Sequence, residues 1–365
     1  MKIITIVGAR PQFIKSSIVS KKLKEENIKE IYIHTGQHYD ENMSDIFFKE
    51  LEIEKPKYNL CIGSATHGEQ TGKMIIEIEK ILLNERPDGV LLYGDTNSTL
   101  SGAIVASKLN IPIFHIEGGV RTHDAKMPEE INRVITDHVS TIIFSPTSLG
   151  MKELEKEGLL EKSINSGDVM LDRLLETVNH YQITEGVSSK NNLITTEYYL
   201  LTLHRPHNVD SRERLKKILE TLNTLDKKII FPIHPRTKNK MKEFNLLEKN
   251  YTNIYFINPL GYKEMMKYVK LSAGVLTDSG GLQKEACFLG KKCINIYEHT
   301  GWKELEKLGC LYVWKDLNKD ILEKELKRNI NTTALLKEFG NGKASKTIVN
   351  EIYTYLSERK KNETI

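Results

Sequence analysis

Short apolar runs alternate with longer amphipathic stretches along most of this chain, and that alternation restricts the fold more than any other feature. "KIITIV", "EIYIH", "GVLLY", "IPIFHI" and "STIIF" read as buried strands, with helical patterns such as "TGKMIIEIEKILLNE" and "STLSGAIVASKLN" between them. Strands separated by helices of this length are βαβ units, which build a parallel sheet with both faces covered. The pattern loosens around residues 167–197 and restarts with "YYLLTLH", "KIIFPIH", "IYFIN", "AGVLTD" and "KCINIYE". The chain is 365 residues long, enough for two domains of ordinary size. We therefore expect two doubly wound α/β domains joined near residues 168–172, with a ligand between them at the carboxyl ends of the strands.

Composition removes several functional classes. The 53 basic and 49 acidic residues leave a formal charge of +4, so no general field for nucleic acid or a membrane surface is expected. No apolar run approaches the roughly 18 residues of a transmembrane helix. "MKIITIVGARP" reaches Gly-Ala-Arg-Pro too early for a signal peptide and reads as a first buried strand. The cysteines at 61, 287, 293 and 310 form neither a C-x-x-C pair nor a zinc pattern, and all four are expected to be buried, reduced thiols of a cytoplasmic protein.

The strand ends carry the chemistry. "KIITIVGARPQFIK" leaves its strand through Gly8 to Arg10, with Lys15 one turn into the next helix. "GVLLYGDTNSTL" ends on Gly94 and Asp95, and "IPIFHIEGG" on Glu117 before two glycines. "YYLLTLHRPHN" ends on His204 and Arg205, "KIIFPIHPRTK" on His234 and Arg236, and "AGVLTDSGGLQKEA" on Asp278, Ser279 and two glycines before a helix. One such end is ordinary turn chemistry. Six on strands of two parallel sheets point to a site.

Gly280 and Gly281 before a helix allow close approach of the backbone to an oxygen, and the helix start offers free N–H groups and the positive end of a dipole. With Arg10 and Lys15 this suits a diphosphate. Neither G-x-G-x-x-G after the first strand nor G-x-x-x-x-G-K-[ST] is present, which argues against a dinucleotide cofactor and phosphoryl transfer. No His, Asp and Cys set has metal-ligand spacing, so no metal is expected. Asp95, Glu117 and the pair Glu129-Glu130 of "MPEEINR" add carboxylates; one of that pair is expected to serve only the helix dipole after Pro128. Carboxylates beside a diphosphate suit sugar-nucleotide chemistry, moving protons and stabilising an oxocarbenium-like centre.

These residues also resemble a known family. "GARPQFIK", "HTGQH", "GDTNSTL", "HIEGGVRT", "MPEEINR", "FSPT", "LHRPHN" and "LTDSGGLQKEA" occur in the order found in the non-hydrolysing UDP-N-acetylglucosamine 2-epimerases and span essentially the whole chain. The resemblance implies two Rossmann-like domains in the glycosyltransferase-B arrangement, with the active site in the interdomain cleft. The first would cover residues 1–168 plus a C-terminal helix at about 345–365, and the second, UDP-binding, residues 169–344. It implies anti elimination of UDP to a 2-acetamidoglucal and re-addition with the proton on the other face of C2, in a cytoplasmic homodimer that uses neither nicotinamide nor metal and supplies surface-polysaccharide precursors.

Carried over by position, Asp95, Glu117, Glu129 and His204 match the family's catalytic groups. Arg10, Lys15, Arg133, His234, Ser279, Gly280 and Gly281 match groups around the UDP-sugar, and Glu285 matches the acid that holds the ribose hydroxyls. Gln37 and His38 match a second, activating UDP-N-acetylglucosamine site; Asp40 replaces that site's Gln, and no Arg lies within residues 66–70. Gln12 and Phe13 stand where the commonest members have Glu and a smaller residue. With "THGEQTG" and "HTGWKE" they lean towards the branch resembling UDP-2,3-diacetamido-2,3-dideoxyglucuronate 2-epimerases. The competing readings are a glycosyltransferase of the same fold, a non-catalytic sugar-nucleotide sensor and a two-domain dehydrogenase.

Overall fold

In the computed structural model, which describes residues 1–37, 48, 51–180, 197–247 and 249–363, the apolar runs form the strands of two parallel sheets. Strands β1 (Lys2–Val7), β2 (Lys29–His34), β3 (Tyr58–Asn59), β4 (Gly89–Tyr93), β5 (Ile113–Ile116), β6 (Ile142–Ser145) and β7 (Ser163–Asn165) make the first sheet, in the order β3-β2-β1-β4-β5-β6-β7. Strands β8 (Tyr198–Thr202), β9 (Lys228–Pro232), β10 (Ile254–Ile257), β11 (Gly274–Thr277), β12 (Cys293–Asn295) and β13 (Leu311–Val313) make the second, ordered β10-β9-β8-β11-β12-β13. Every residue of β4 is buried, as the unbroken apolar run "GVLLY" requires of a strand covered on both faces. In each sheet the strand order reverses once, between β1 and β4 and between β8 and β11. The carboxyl ends at these two points are where a doubly wound sheet opens for a ligand.

Ile4, Ile6, Ile31, Ile33, Val90 and Leu92 of the first sheet pack with Met74, Ile78 and Leu82, which recur every fourth residue on the His67–Glu85 helix. In the second sheet Leu201, Phe231, Leu276 and Ile294 share a core with Leu215, Ile218, Leu219 and Leu222 of the Arg212–Leu222 helix. No helix among the described residues is long and apolar enough to cross a membrane.

The chain divides into Met1–Arg173 with Glu338–Ile365, and Leu174–Lys337. The first division falls inside the Val169–His180 helix. Its opening turn is committed to the first unit, because the Asp172 carboxylate caps the returning C-terminal helix. It accepts from the Ala344 N–H at 3.1 Å and from the Ser345 N–H and hydroxyl at 2.7 Å. That helix runs Ala344–Glu363. Where the chain returns, Gly167 and Gly340 meet backbone to backbone: a Cβ on Gly167 would lie 2.8 Å from the Gly340 Cα, and both residues have positive φ.

One expectation fails. Cys287, Cys293 and Cys310 are buried, but Cys61 is exposed. It follows the two-residue edge strand β3, at φ +52°.

Candidate active site

At the end of β4 the chain turns at Gly94, φ +63°, and the helix Asn97–Lys108 starts at once. The small polar residues of "GDTNSTL" each have a task there. Thr96 caps the helix by accepting from the Thr99 N–H, and the Thr99 hydroxyl donates to the Tyr93 carbonyl at 2.8 Å. Asn97 donates to Gln70 at 2.8 Å, and Ser98 donates through its N–H and its hydroxyl to the Gln37 side chain. Asp95 is left half-buried beside them, held by Arg133 at 2.5 Å, while the Asn132 amide donates to its backbone carbonyl at 2.9 Å.

Glu117, at the end of neighbouring β5, adopts φ +72°, a region costly for a residue with a side chain. Its N–H and that of Gly118 both donate to the Phe144 carbonyl. Its carboxylate receives the Lys15 ammonium at 2.7 Å, both side chains being about one-tenth exposed. Lys15, matched to the diphosphate by sequence, therefore has a carboxylate partner in this structure. Arg10 opens the Arg10–Glu25 helix and is half-buried. The first turn of that helix is organised by Gln12, whose oxygen accepts from the Gly8 and Ala9 N–H groups while its amide donates to the Tyr93 carbonyl at 2.7 Å.

The pair in "MPEEINR" separates as its helical position dictates. Glu130 is buried and accepts from the Thr122 N–H and hydroxyl and from the His123 N–H, each at 2.9 Å. Burial pushes its carboxyl up, but these donors and Arg133 outweigh burial and hold it below the usual range. Glu129 is half-buried, and among the described residues it makes no ion pair. Arg133 reaches Glu130 at 3.0 Å as well as Asp95, and the two acids keep its guanidinium charged against burial.

In the second unit, Asp278 organises the end of β8. Fully buried, it accepts from the His204 and Arg205 N–H groups at 2.9–3.1 Å and from the Asn208 amide at 3.1 Å, and its Oδ1 lies 3.0 Å from the His204 Nδ1. Burial raises its carboxyl, but His204 and the amide donors outweigh that and lower it. An Nδ1–H donated to this carboxylate leaves the His204 Nε2 as the nitrogen open to a ligand, on a side chain 41% exposed. The His234 ring lies 5.7 Å from that of His204, and its Nδ1 accepts from the Arg236 N–H at the start of the next helix. Ser279 is the N-cap of the Gly280–Phe288 helix, and Glu285 lies buried on that helix. Of the second-site pair, Gln37 is tied to Ser98, and His38 lies outside the described residues.

Residues 21–353 match the family model described as UDP-N-acetylglucosamine 2-epimerase. The chain belongs to the UDP-N-acetylglucosamine 2-epimerase family. It is 47% identical to a UDP-N-acetylglucosamine 2-epimerase of Methanocaldococcus jannaschii over 97% of this chain and 99% of that one. It is 44% identical to a UDP-2,3-diacetamido-2,3-dideoxy-D-glucuronate 2-epimerase of Pseudomonas aeruginosa, over 95% and 98% respectively. The crystal structure of a M. jannaschii UDP-GlcNAc 2-epimerase in complex with UDP-GlcNAc and UDP matches with a TM-score of 0.86 at 46% identity, covering 97% of this chain and all of that one. Two Rossmann-like domains are thus the fold of this family member. Arg10, Gln12 and Lys15 precede the residues that the family model matches.

Three organising contacts are not legible in the sequence. Asp278 was visible as a strand end, but nothing marked it as the partner of His204. Asn132 and Asp137 lie on the Pro128–Val139 helix behind the acids, where spacing alone gives no sign of a tertiary contact.

Proposed function

We propose that this chain interconverts UDP-N-acetylglucosamine and UDP-N-acetylmannosamine as a non-hydrolysing 2-epimerase. The observation that carries the reading is the pair of ion-paired carboxylates, Asp95 with Arg133 and Glu117 with Lys15, on adjacent strand ends beside a strand-order reversal. The relatives' substrates support it.

The C2 proton of a 2-acetamido sugar has no neighbouring carbonyl to acidify it, so its direct removal is slow. Breaking the C1–O bond first solves this. Positive charge develops at C1, where fixed carboxylates stabilise it. A carboxylate then takes the C2 proton, the C1–C2 double bond forms, and UDP has departed with the C1–O electron pair. Re-addition of UDP at C1 with a proton delivered to the other face of C2 gives the epimer. Asp95, Glu117 and Glu129 are the carboxylates of this reading, and His204 presents Nε2 as its catalytic imidazole. Arg10, Lys15, Arg133, His234 and the start at Ser279, Gly280 and Gly281 serve the sugar and diphosphate, and Glu285 the ribose. Lys15 then has two duties, since it also neutralises Glu117. The same reading has the enzyme work as a cytoplasmic homodimer, supplying a surface-polysaccharide precursor.

The test is incubation with UDP-N-acetylglucosamine alone, and in parallel with UDP-2,3-diacetamido-2,3-dideoxyglucuronate, followed by proton NMR. The expected result is UDP-N-acetylmannosamine in the first tube. Turnover only in the second assigns the glucuronate branch, and turnover in neither without an added acceptor supports a transferase.

A further inference from the structure

Behind Asp95 and Glu117 lies a histidine that touches neither. His115, on β5, is fully buried. Its Nε2 lies 2.8 Å from the Gly94 carbonyl and its Nδ1 2.7 Å from Asp137 Oδ1. Asp137 is itself fully buried, on the Pro128–Val139 helix. Its other oxygen accepts from the Gly119 N–H at 3.0 Å and from Arg121 at 2.7 Å, and Arg121 continues to Glu157 through two contacts of 2.7 Å.

We propose that His115 and Asp137 form a positioning pair that sets the spacing of the two turns carrying Asp95 and Glu117. The proposal rests on the epimerase reading for its kinetic part and on the geometry for the rest. Gly94 directly precedes Asp95, and Gly119 closes the turn that Glu117 begins. One bond from the imidazole fixes the first turn, and one from the Asp137 carboxylate fixes the second. Gly94 takes φ +63° freely as a glycine, but Glu117 sits at +72°, a conformation that persists in a residue with a side chain only where surrounding bonds over-determine it. Gly118 gives the pair its room: a Cβ there would lie 2.6 Å from Asp137 Oδ1.

The donors can be assigned from the acceptors. A carbonyl only accepts, so Nε2 carries a hydrogen. Asp137 Oδ2 accepts from the Arg121 guanidinium at 2.7 Å and from the Gly119 N–H at 3.0 Å, the partners of an ionised carboxylate. An ionised carboxylate only accepts, so Nδ1 carries a hydrogen too. On this assignment the ring donates from both nitrogens, to Gly94 and to Asp137, with Arg121 and Glu157 as the next pair. The Lys162 ammonium donates to the His138 and Ser140 carbonyls and adds positive charge near Asp137.

Two variants and one spectrum test this. Asp137→Asn keeps the shape: its amide oxygen can still accept from Arg121 and Gly119, while its NH2 faces Nδ1 and forces a neutral ring with hydrogen on Nε2 alone. His115→Phe removes both imidazole bonds and leaves the Asp137 bond to Gly119. Turnover (kcat) for epimerisation should fall at least 30-fold in His115→Phe, which frees the Gly94 carbonyl, and less in Asp137→Asn, whose neutral ring still donates from Nε2 but more weakly; KM and the affinity for UDP should stay within about threefold in both, because the diphosphate groups do not move. Proton–nitrogen correlation spectra of nitrogen-15-histidine-labelled protein at pH 7.5 should show two ring N–H signals for His115 in the wild type and one in Asp137→Asn. The spectrum needs no substrate, so it stands even if the epimerase reading fails, and it stands if His115→Phe does not fold. A single ring N–H in the wild type, or loss of UDP affinity in step with kcat in Asp137→Asn, overturns the proposal.

Discussion

The side-chain amide of Gln12 donates to the Tyr93 carbonyl at 2.7 Å, while its oxygen accepts from the Gly8 and Ala9 N–H groups. One residue thus ties the turn after β1 to the end of β4, across the point where strand order reverses. A Glu at this position keeps the acceptor but loses the donor, and sets a carboxylate oxygen against a carbonyl. Gln12→Glu should therefore destabilise the protein by about 1–3 kcal/mol, the cost of a buried polar group left without its partner. Urea denaturation at pH 7.5 measures it, and an unchanged midpoint would remove Gln12 from this role.

Asp278 and His204 make a second such tie. In Asp278→Asn, the ionised acceptor that fixes the His204 tautomer is gone, and an NH2 group meets the His204 and Arg205 N–H groups or the imidazole. Turnover should drop at least tenfold, and stability by about 1.5–3 kcal/mol, the range for hydrogen bonds to a charged group. Steady-state kinetics and thermal unfolding on one preparation check both; full activity would show that His204 does not depend on its buried partner.

The contrast between these groups and the strand ends shows what the sequence makes legible. Asp95, Glu117, His204 and Asp278 stand out because a polar residue directly after a buried apolar run is visible in one dimension. The parallel architecture follows from the same runs. Lys15 with Glu117, and His115 with Asp137, are 102 and 22 residues apart and meet only once the sheet order is set. Glu129 and Glu130 are neighbours in sequence, and only the helix's rotation and the 122–123 turn decide which is consumed by backbone donors. The exposure of Cys61 is not legible, because an edge strand of two residues is too short to carry a burial pattern.

Glu30 makes stability depend on pH. Burial pushes its carboxyl up to about 7, with some help from Glu54 and against hydrogen bonds from Ser20 and Thr5. The folded form thus binds this proton more tightly than the unfolded chain does. The contribution is fully present below the unfolded value near 4.5 and is lost as pH rises through about 7. Glu30→Gln should match the wild type at pH 4 and exceed it by about 1–3 kcal/mol at pH 8. Denaturation at the two pH values measures this; an equal difference at both would remove the ionisation from the account.

Arg10 begins the helix at the carboxyl end of β1. In the proposed reading it faces the diphosphate, so Arg10→Ala should weaken UDP binding by roughly 1.5–3 kcal/mol, the scale of a charge-assisted hydrogen bond. Calorimetry with UDP reads this directly, and unchanged affinity would take Arg10 out of the site.

On the proposed mechanism the C1–O bond breaks and the C2 proton is exchanged on one UDP-sugar with no acceptor present. Incubation with UDP-N-acetylglucosamine alone in heavy water, followed by NMR of the recovered sugar nucleotides, tests it most directly. Deuterium should appear at C2 in the recovered UDP-sugars and, over long incubations, a small amount of free 2-acetamidoglucal with UDP. Asp95→Asn should abolish the exchange while still binding UDP. Recovery of UDP-N-acetylglucosamine with hydrogen retained at C2, from a protein that binds UDP, would contradict the mechanism.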